Sequence, residues 1–480
     1  MSAVDALKPS FELAVIGAGP AGMAAAVAAA QRGVATILFD EQASPGGQIY
    51  RGVTTTPLRR RELLGDDYWH GQGLVDALLG CAADYAPRSI VWAVTRIGDG
   101  FELAVSRDGV AHLVRVAHLI VATGAQERPF PIPGWTLPGV MTVGAAQILL
   151  KTAGLVPGDG TVVAGSGPLL PLVLAQFAAA GVSVDAVLDT TPRDRRWRAA
   201  WRDVIGFATS PYLAKGVALL RRARAAGRVV RGVESLEAIG DHRIERVRYR
   251  AGGQTIELAC TSLLLHQGVV PNINFANAIG CEQRWDEVQA CFVPVVDAWG
   301  ASSVPGVTLA GDGAGIAGAR AAEAHGRIAA LNAACAIGRI DPAQRAAAGA
   351  AAQADRARWL RGRRFLDVMY RPAPQYRIPV GDTVVCRCEE VTARQVLESV
   401  RLGCTGPNQM KSFLRCGMGP CQGRFCGLTV SELIAKERGS TPAEIGHYRL
   451  RFPIKPITLG ELASLPQTEA SEQAVVRLPK

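Results

Sequence analysis

The sequence predicts an α/β chain made of two successive βαβ units, followed by a small, mostly helical, cysteine-rich module. Three observations carry this. A glycine-rich turn sits between a short apolar strand and an Ala-rich helix at Gly17-Ala-Gly19-Pro-Ala-Gly22, and a related turn recurs at Gly165-Ser-Gly167. Glycine is abundant, with 53 in 480 residues, as tight strand–helix turns require. Six of the 11 cysteines fall between Cys386 and Cys426. The chain is 49% hydrophobic, enough for several packed cores.

In the first unit, Glu12–Ile16 is the strand and the helix runs to Arg32. Gly33 ends it, Thr36–Phe39 is the next strand, and Asp40 closes that strand. Gly17 makes the tight turn, Gly19 lets backbone approach a pyrophosphate, and Gly22 lets helix and strand pack closely. The helix N-terminus, at Pro20 and Ala21, then faces phosphate. Asp40 lies about 20 residues beyond Gly19, where a carboxylate takes ribose hydroxyls, with Glu41 as the alternative. Three later segments extend the pattern. They are Pro45-Gly46-Gly47-Gln48, the strand end Ile120-Val-Ala-Thr123-Gly124, and Thr308-Leu-Ala-Gly311-Asp312-Gly313. In this order they resemble the two-dinucleotide-domain flavoproteins of glutathione-reductase-like fold. The resemblance implies FAD, with Asp312 on the ribityl chain. Asp312 also suits a helix cap, and both roles can hold together.

The second unit has Thr161–Ala164 as its strand, a helix to Ala180, and a strand Val182–Leu188 ending at Asp189. Leu170 stands where the third small residue belongs and Pro171 enters the first helical turn. The unit therefore reads as scaffold that holds no NAD(P). The basic stretch after it, Thr191–Arg231, carries Trp197 and Trp201. It reads as a solvated helical face, with a docking surface as the sharper alternative.

The formal charge is +10. No binding motif or set of stacking aromatics accompanies it, so nucleic acid is not expected. Neither Pro45–Arg51 nor Gly165–Asp189 holds the cysteine pair that disulfide reduction needs. Cys81, Cys260, Cys281, Cys291 and Cys335 are scattered and read as small buried hydrophobes. His266 and His325 are the histidines nearest the site strands, and both read as packed side chains.

Ala321–Leu366 reads as long helix and Tyr370–Pro379 as a Pro-rich linker. Cys386-Arg-Cys388 then opens a new unit. Thr392 caps a helix over Ala393–Arg401, a second helix spans Pro407–Leu414, and Cys416-Gly-Met-Gly-Pro-Cys421-Gln-Gly-Arg-Phe-Cys426 closes the unit. Thiolates at this spacing suit an iron–sulfur cluster, with zinc as the alternative occupant. The run resembles the bacterioferritin-associated-ferredoxin type of [2Fe-2S] domain. By that match the ligands are Cys386, Cys388, Cys421 and Cys426. Cys404 is left over, and Cys416 is open as a replacement for Cys426.

Over Phe11–Leu465 the chain resembles the α (A) subunits of bacterial opine oxidases, with relatives in hydrogen cyanide synthase, D-hydroxyproline dehydrogenase and dye-linked proline dehydrogenase. The residues that carry this are Leu38-Phe-Asp-Glu-Gln42, Pro45–Arg51, Leu265-His-Gln-Gly-Val-Val-Pro-Asn272, Ala310–Gly318 and Cys416–Cys426. The resemblance implies an oxidoreductase acting on CH–NH donors within a hetero-oligomer. A β subunit of D-amino-acid-oxidase type would oxidise the substrate on its own FAD, FMN would lie at the interface, and a small third subunit is a further candidate partner. Electrons would pass through flavin and [2Fe-2S] to a quinone or dye-like acceptor. A self-contained NAD(P)H-dependent reductase feeding a protein acceptor is the alternative.

The expected layout is an FAD-binding domain at 1–125 and 286–335, an NAD(P)-like domain at 126–285 and a linker at 336–380. The [2Fe-2S] module at 381–435 and a C-terminal segment at 436–480 complete it. With no secretory signal, no long apolar run and cysteines at ligand spacing, the expected location is cytoplasmic, with the inner-membrane surface as the variant.

Overall fold

The computed structural model describes residues 7–192 and 199–466. The first sheet is built around Val110–Val121, a strand with two roles. Its C-terminal half pairs in parallel with Ser10–Ile16 on one side and Val307–Leu309 on the other. Beyond Ser10–Ile16 lie Thr36–Phe39 and Asp84–Ala86, also parallel. Its N-terminal half turns into an antiparallel meander with Gly100–Arg107 and Ser89–Ile97. The parallel strands are covered on both faces, which is why Leu13, Ala14 and Val15 are all fully buried and apolar in an unbroken run. The helices Pro20–Ala30 and Ala319–Ala336 lie against each other. Their alanines permit a close approach, and at Gly326 a Cβ would fall 2.0 Å from the Ala21 carbonyl oxygen.

The second sheet is parallel throughout, in the order Gly227–Arg231, Val184–Asp189, Thr161–Ser166, Ser262–Gln267 and Val140–Thr142. Its helix Leu169–Ala179 follows the glycine turn as the sequence predicts. A three-stranded antiparallel sheet (Val233–Ile239, Arg246–Ala251, Gln254–Ala259) is appended to it. The two units are joined where Ala125–Glu127 pairs antiparallel with Val269–Pro271.

The stretch expected as one long helix is three: Ala319–Ala336, Pro342–Leu360 and Arg363–Met369. Gly338 adopts φ +83° and Asp341 caps the next helix, its side chain accepting from the Gln344 N–H at 2.8 Å, with Pro342 in the first turn. Gly362, at φ +79°, makes the second break. Alanine-rich sequence flanks the first of these breaks on both sides, and the Gly/Asp-Pro punctuation overrides it.

The cysteine module has a small ladder of Val384–Cys386 with Val391–Thr392, then helices Ala393–Arg401, Pro407–Leu414 and Gly427–Glu437. Thr392 forms a capping box with Gln395. The module is tied into the rest of the molecule. The Trp135 Nε1–H donates to the Val384 carbonyl at 2.8 Å, and the buried Arg377 pairs with the buried Glu432. The chain after it returns as a strap. Tyr448 is buried among the cysteines, and the Ile454 N–H donates to the Trp92 carbonyl at 3.1 Å in the meander. No helix among the described residues is long and apolar enough to cross a membrane.

Candidate cofactor and cysteine sites

The first glycine turn is a cradle that side chains would fill. A Cβ at Gly17 would lie 2.6 Å from the Ala122 oxygen, and one at Gly22 would lie 1.8 Å from the Gly17 oxygen. Gly47 adopts φ +60° and its Cβ would meet Gly19 Cα at 2.8 Å, so the Pro45–Gln48 loop closes directly over the turn. Gly19 itself has only Gly47 Cα within 4 Å of a built Cβ, at 3.9 Å. Its bare face is open on the side where a phosphate would lie. Thr123 donates through Oγ1 to the Asn272 carbonyl at 3.1 Å, and the Gly124 carbonyl accepts from the Asn272 N–H at 2.9 Å. These bonds fix the end of the Val110–Val121 strand beside the turn.

The two carboxylates after Phe39 are used differently. Asp40 is buried, and its two oxygens accept from the Ala18 and Gln42 N–H groups at 2.5 and 2.7 Å. Burial raises its pKa. Asp40 therefore shapes the turn from within. Glu41 is exposed and takes the Lys455 ammonium at 2.6 Å. Burial of its surroundings opposes its ionisation, but the Lys455 hydrogen bond and charge, with Arg424 and Arg51, bring its pKa down. Of the two, Glu41 has the carboxylate a ribose could reach. Asp312 accepts from the Ala317 and Gly318 N–H groups at 2.8 and 2.9 Å through Oδ1, so it caps the approach to the Ala319–Ala336 helix.

Most of these positions border one cavity of about 2000 Å³, against about 300–1,000 Å³ for an ordinary small-molecule site. Gly17, Gly19, Pro20, Ala21, Asp40, Glu41, Gly47, Gln48, Thr123, Gly124, Gly311 and Asp312 line it, and Pro168, Leu169 and Pro171 of the second unit line it too. Gly22 and Gly46 lie behind this lining. The cradle and the volume suit a dinucleotide.

The second glycine turn is tighter. The Gly165 backbone packs on His266, and a Cβ at Gly167 would stand 2.9 Å from His266 Nε2. His266 is buried and holds Glu127 through Nδ1 at 2.6 Å, while Glu127 accepts from the Gly144 N–H at 2.9 Å. Leu170 is buried in the core. His325 is also a packed residue. It accepts from the Gly311 N–H at 3.2 Å, and burial pushes its pKa down to about 3. Cys260, Cys281 and Cys291 are buried, and Cys81 and Cys335 half-buried. Trp201 is 67% exposed on the short helix Trp201–Ala208, while Trp197 lies outside the described residues.

The cysteine loops bring five thiols into two groups. Cys386, Cys416 and Cys426 are buried, with their sulfurs all within 4.8 Å of one another. Hydrogen bonds from Cys416 and Cys426, aided by the Gly417 and Glu389 backbone, hold the Cys386 thiol far below its usual pKa. Cys416 is correspondingly pushed up to about 12 by Cys386. Cys388 and Cys421 hydrogen bond to each other. Cys388 is exposed and Cys421 half-buried. Cys416 thus stands with the expected ligands, while Cys404 is apart, its Sγ donating to the Gly406 carbonyl at 3.4 Å. Three buried thiols within 4.8 Å of one another, with a second thiol pair in the same loops, suit a soft metal centre such as an iron–sulfur cluster.

Sequence reasoning missed the contact between the two sites. Arg387, between Cys386 and Cys388, lines the cavity, as do Arg424 and Phe425 between Cys421 and Cys426. Gln126 Nε2 donates to the Arg424 carbonyl at 2.8 Å and Asn274 Nδ2 to the Gln422 carbonyl at 3.0 Å. Lys151 was also missed. It is fully buried and gives its ammonium to the Gln48 and Ile49 carbonyls and to Gln147 Oε1 at 3.2, 3.0 and 3.0 Å. Burial lowers its pKa to about 7. No motif marks it, because only the fold brings the Val143–Ala153 helix to the Gln48 loop.

Comparison with known proteins agrees with this layout. Residues 11–338 match the pyridine nucleotide-disulphide oxidoreductase family, and residues 381–465 match the sarcosine oxidase A3 domain. The A subunit of opine oxidase from Rhizobium meliloti is 46% identical over 99% of this chain and 91% of its own length. The chain belongs to the family of opine oxidase A subunits. Within reach of this family is subunit HcnB of hydrogen cyanide synthase from Pseudomonas aeruginosa, 33% identical over 94% of this chain and 98% of its own length. Among solved structures, L-proline dehydrogenase from P. horikoshii superposes with a TM-score of 0.68 at 19% identity, covering 94% of this chain and 79% of that one. Family membership makes the chain an oxidoreductase with the flavoprotein fold. The A3 match runs beyond the last cysteine and takes in the strap through Tyr448 and Ile454.

Proposed function

We propose that this chain is the electron-transfer subunit of a heteromeric flavoenzyme that oxidises opines or related imino and amino acids at a CH–NH bond. In this reading FAD occupies the Gly17–Glu41 site, and four of the five grouped cysteines hold a [2Fe-2S] cluster. The observation that supports it most is the shared wall. One cavity is bordered by the dinucleotide cradle and by Arg387, Arg424 and Phe425 of the cysteine loops. When bound, a flavin accepts a hydride from carbon beside nitrogen and returns electrons singly, as an iron–sulfur centre requires.

The chain's own residues have defined parts. The N-terminus of the Pro20–Ala30 helix presents backbone N–H groups and its dipole to phosphate. Asp40 holds the turn, Glu41 takes the ribose hydroxyls, and Asp312 fixes the loop beside the ribityl chain. Burial of Cys386, Cys416 and Cys426 keeps water from the soft ligands. The buried histidines His266 and His325 are occupied by protein partners, which fits substrate chemistry on a different polypeptide. That partner is of D-amino-acid-oxidase type with its own FAD. FMN at the shared interface, a quinone or dye-like acceptor and a small third subunit complete the proposal. Names of relatives motivate the substrate class, since the A subunits of opine oxidase are the family of this chain.

The test is co-expression with an FAD-containing oxidase subunit of D-amino-acid-oxidase type, followed by dye reduction with octopine, nopaline, hydroxyproline and glycine. The reading predicts dye reduction by the complex with one of these and none by the chain alone. Amine oxidation by the purified chain alone would overturn it.

A further inference from the structure

The positive charges within the cysteine loops are distributed unevenly. Arg415, beside Cys416, pairs with Glu389 at 3.2 Å and is 68% exposed. Arg387 and Arg424 are different. Each lies inside a cysteine pair, each lines the cavity, and neither has an ion-pair partner among the described residues. Glu41 senses the charge of Arg424, but its ion pair is with Lys455, through Oε2. Arg387 is exposed, as Arg415 is, but lies over the Trp135 ring at 5.2 Å instead of against a carboxylate, and Trp135 is tied to Val384 of the same loop. Arg424 is anchored through its carbonyl by Gln126, and its buried Nε has no acceptor. Two guanidiniums without a paired carboxylate thus stand on the wall of the cavity, within the cysteine loops.

We infer that Arg387 and Arg424 are positioning residues that raise the reduction potential of the cysteine-bound centre and make it a downhill acceptor for electrons from the cavity. This rests on the cluster reading above. A cluster held by four thiolates is already anionic, and each arriving electron adds one negative charge. A cation held nearby and not neutralised by a carboxylate stabilises the reduced form more than the oxidised one, so the potential rises. The arginines add no atoms and take no proton. They change only the energy of the one-electron step. A charge neutralised by a carboxylate, as Arg415 is by Glu389, has little net field at the thiols. Glu389 and Arg415 together therefore contribute almost nothing.

The experiment uses the full chain prepared anaerobically, with iron analysis and an EPR-monitored redox titration. Arg387→Gln and Arg424→Gln should each keep full iron and unchanged g values while the midpoint potential falls, and the double variant should fall further. Arg387→Lys and Arg424→Lys should return most of the shift, because charge and not shape carries the effect. The charge-neutral double change Glu389→Gln with Arg415→Gln should leave the potential where it was. Full iron with an unshifted potential in both Gln variants would overturn this inference and leave the cluster intact. Wild-type protein that holds zinc and no iron would overturn the cluster reading, and this inference with it.

Discussion

Gly19 and Gly22 sit three residues apart and respond to different forces. At Gly22 a Cβ would collide with backbone at 1.8 Å, so Gly22→Ala acts on packing. It should destabilise the fold by about 1–3 kcal/mol, the cost of overpacking. At Gly19 the protein leaves space, so Gly19→Val should fold with an unchanged circular dichroism spectrum and lose its FAD. Stoichiometric FAD in extracts of folded Gly19→Val would refute the site. The cysteines divide in the same way. Serine at Cys386, Cys416 or Cys426 should abolish or grossly alter the cluster signal, because a neutral hydroxyl is a poor soft-metal ligand. Serine at Cys404 should leave iron content unchanged, which iron assay and visible spectra would show. At this scale the glycines and cysteines were legible in the sequence, because turn geometry and ligand chemistry each demand one residue type. The division of labour between Asp40 and Glu41 was not. Adjacent carboxylates look alike until the Ala18 and Gln42 N–H groups are seen on Asp40.

Two elements carry predictions of their own. The second glycine turn matches the first in topology, but His266 stands against Gly167 and Leu170 fills the position of the third small residue. NADH and NADPH should therefore reduce the flavin slowly and without saturation in stopped-flow traces. Saturable reduction at micromolar NADH would promote the self-contained reductase. The first sheet is sensitive to acid. His118 is held neutral by burial, its pKa lowered to about 4, and His325 to about 3. Their unfolded pKa is about 6.5. Between these values the unfolded chain binds protons that the folded chain does not, so stability falls as pH drops below about 6.5. Each histidine adds at most about 1.4 kcal/mol per pH unit. Melting curves from pH 7 to 5 should show a smaller loss for His325→Gln than for the unmodified chain. An equal slope would show that His325 takes no part. The strands and caps of these elements followed from pattern, as at Thr392. The broken helix did not, because single glycines at Gly338 and Gly362 end helices inside a stretch otherwise rich in helix-forming residues.

At the scale of the whole molecule, two nucleotide-type units and a cysteine module were legible from order and spacing alone. Their mutual placement was not. Gln126, Asn274 and Trp135 grip the cysteine loops across distances in sequence that no local pattern spans, and the strap through Tyr448 and Ile454 closes the arrangement. That placement puts the cradle and Arg387, Arg424 and Phe425 of the cysteine loops on a common cavity. The central claim is that electrons entering at the flavin leave through the cluster of the same chain. The direct measurement is photoreduction of the anaerobic, FAD-loaded chain, freeze-quenched and followed by low-temperature EPR with parallel absorbance. The account predicts a reduced [2Fe-2S] signal approaching one spin per chain, which Cys386→Ser abolishes while the flavin still bleaches. Complete flavin bleaching with no iron-centred signal in the intact chain would contradict it.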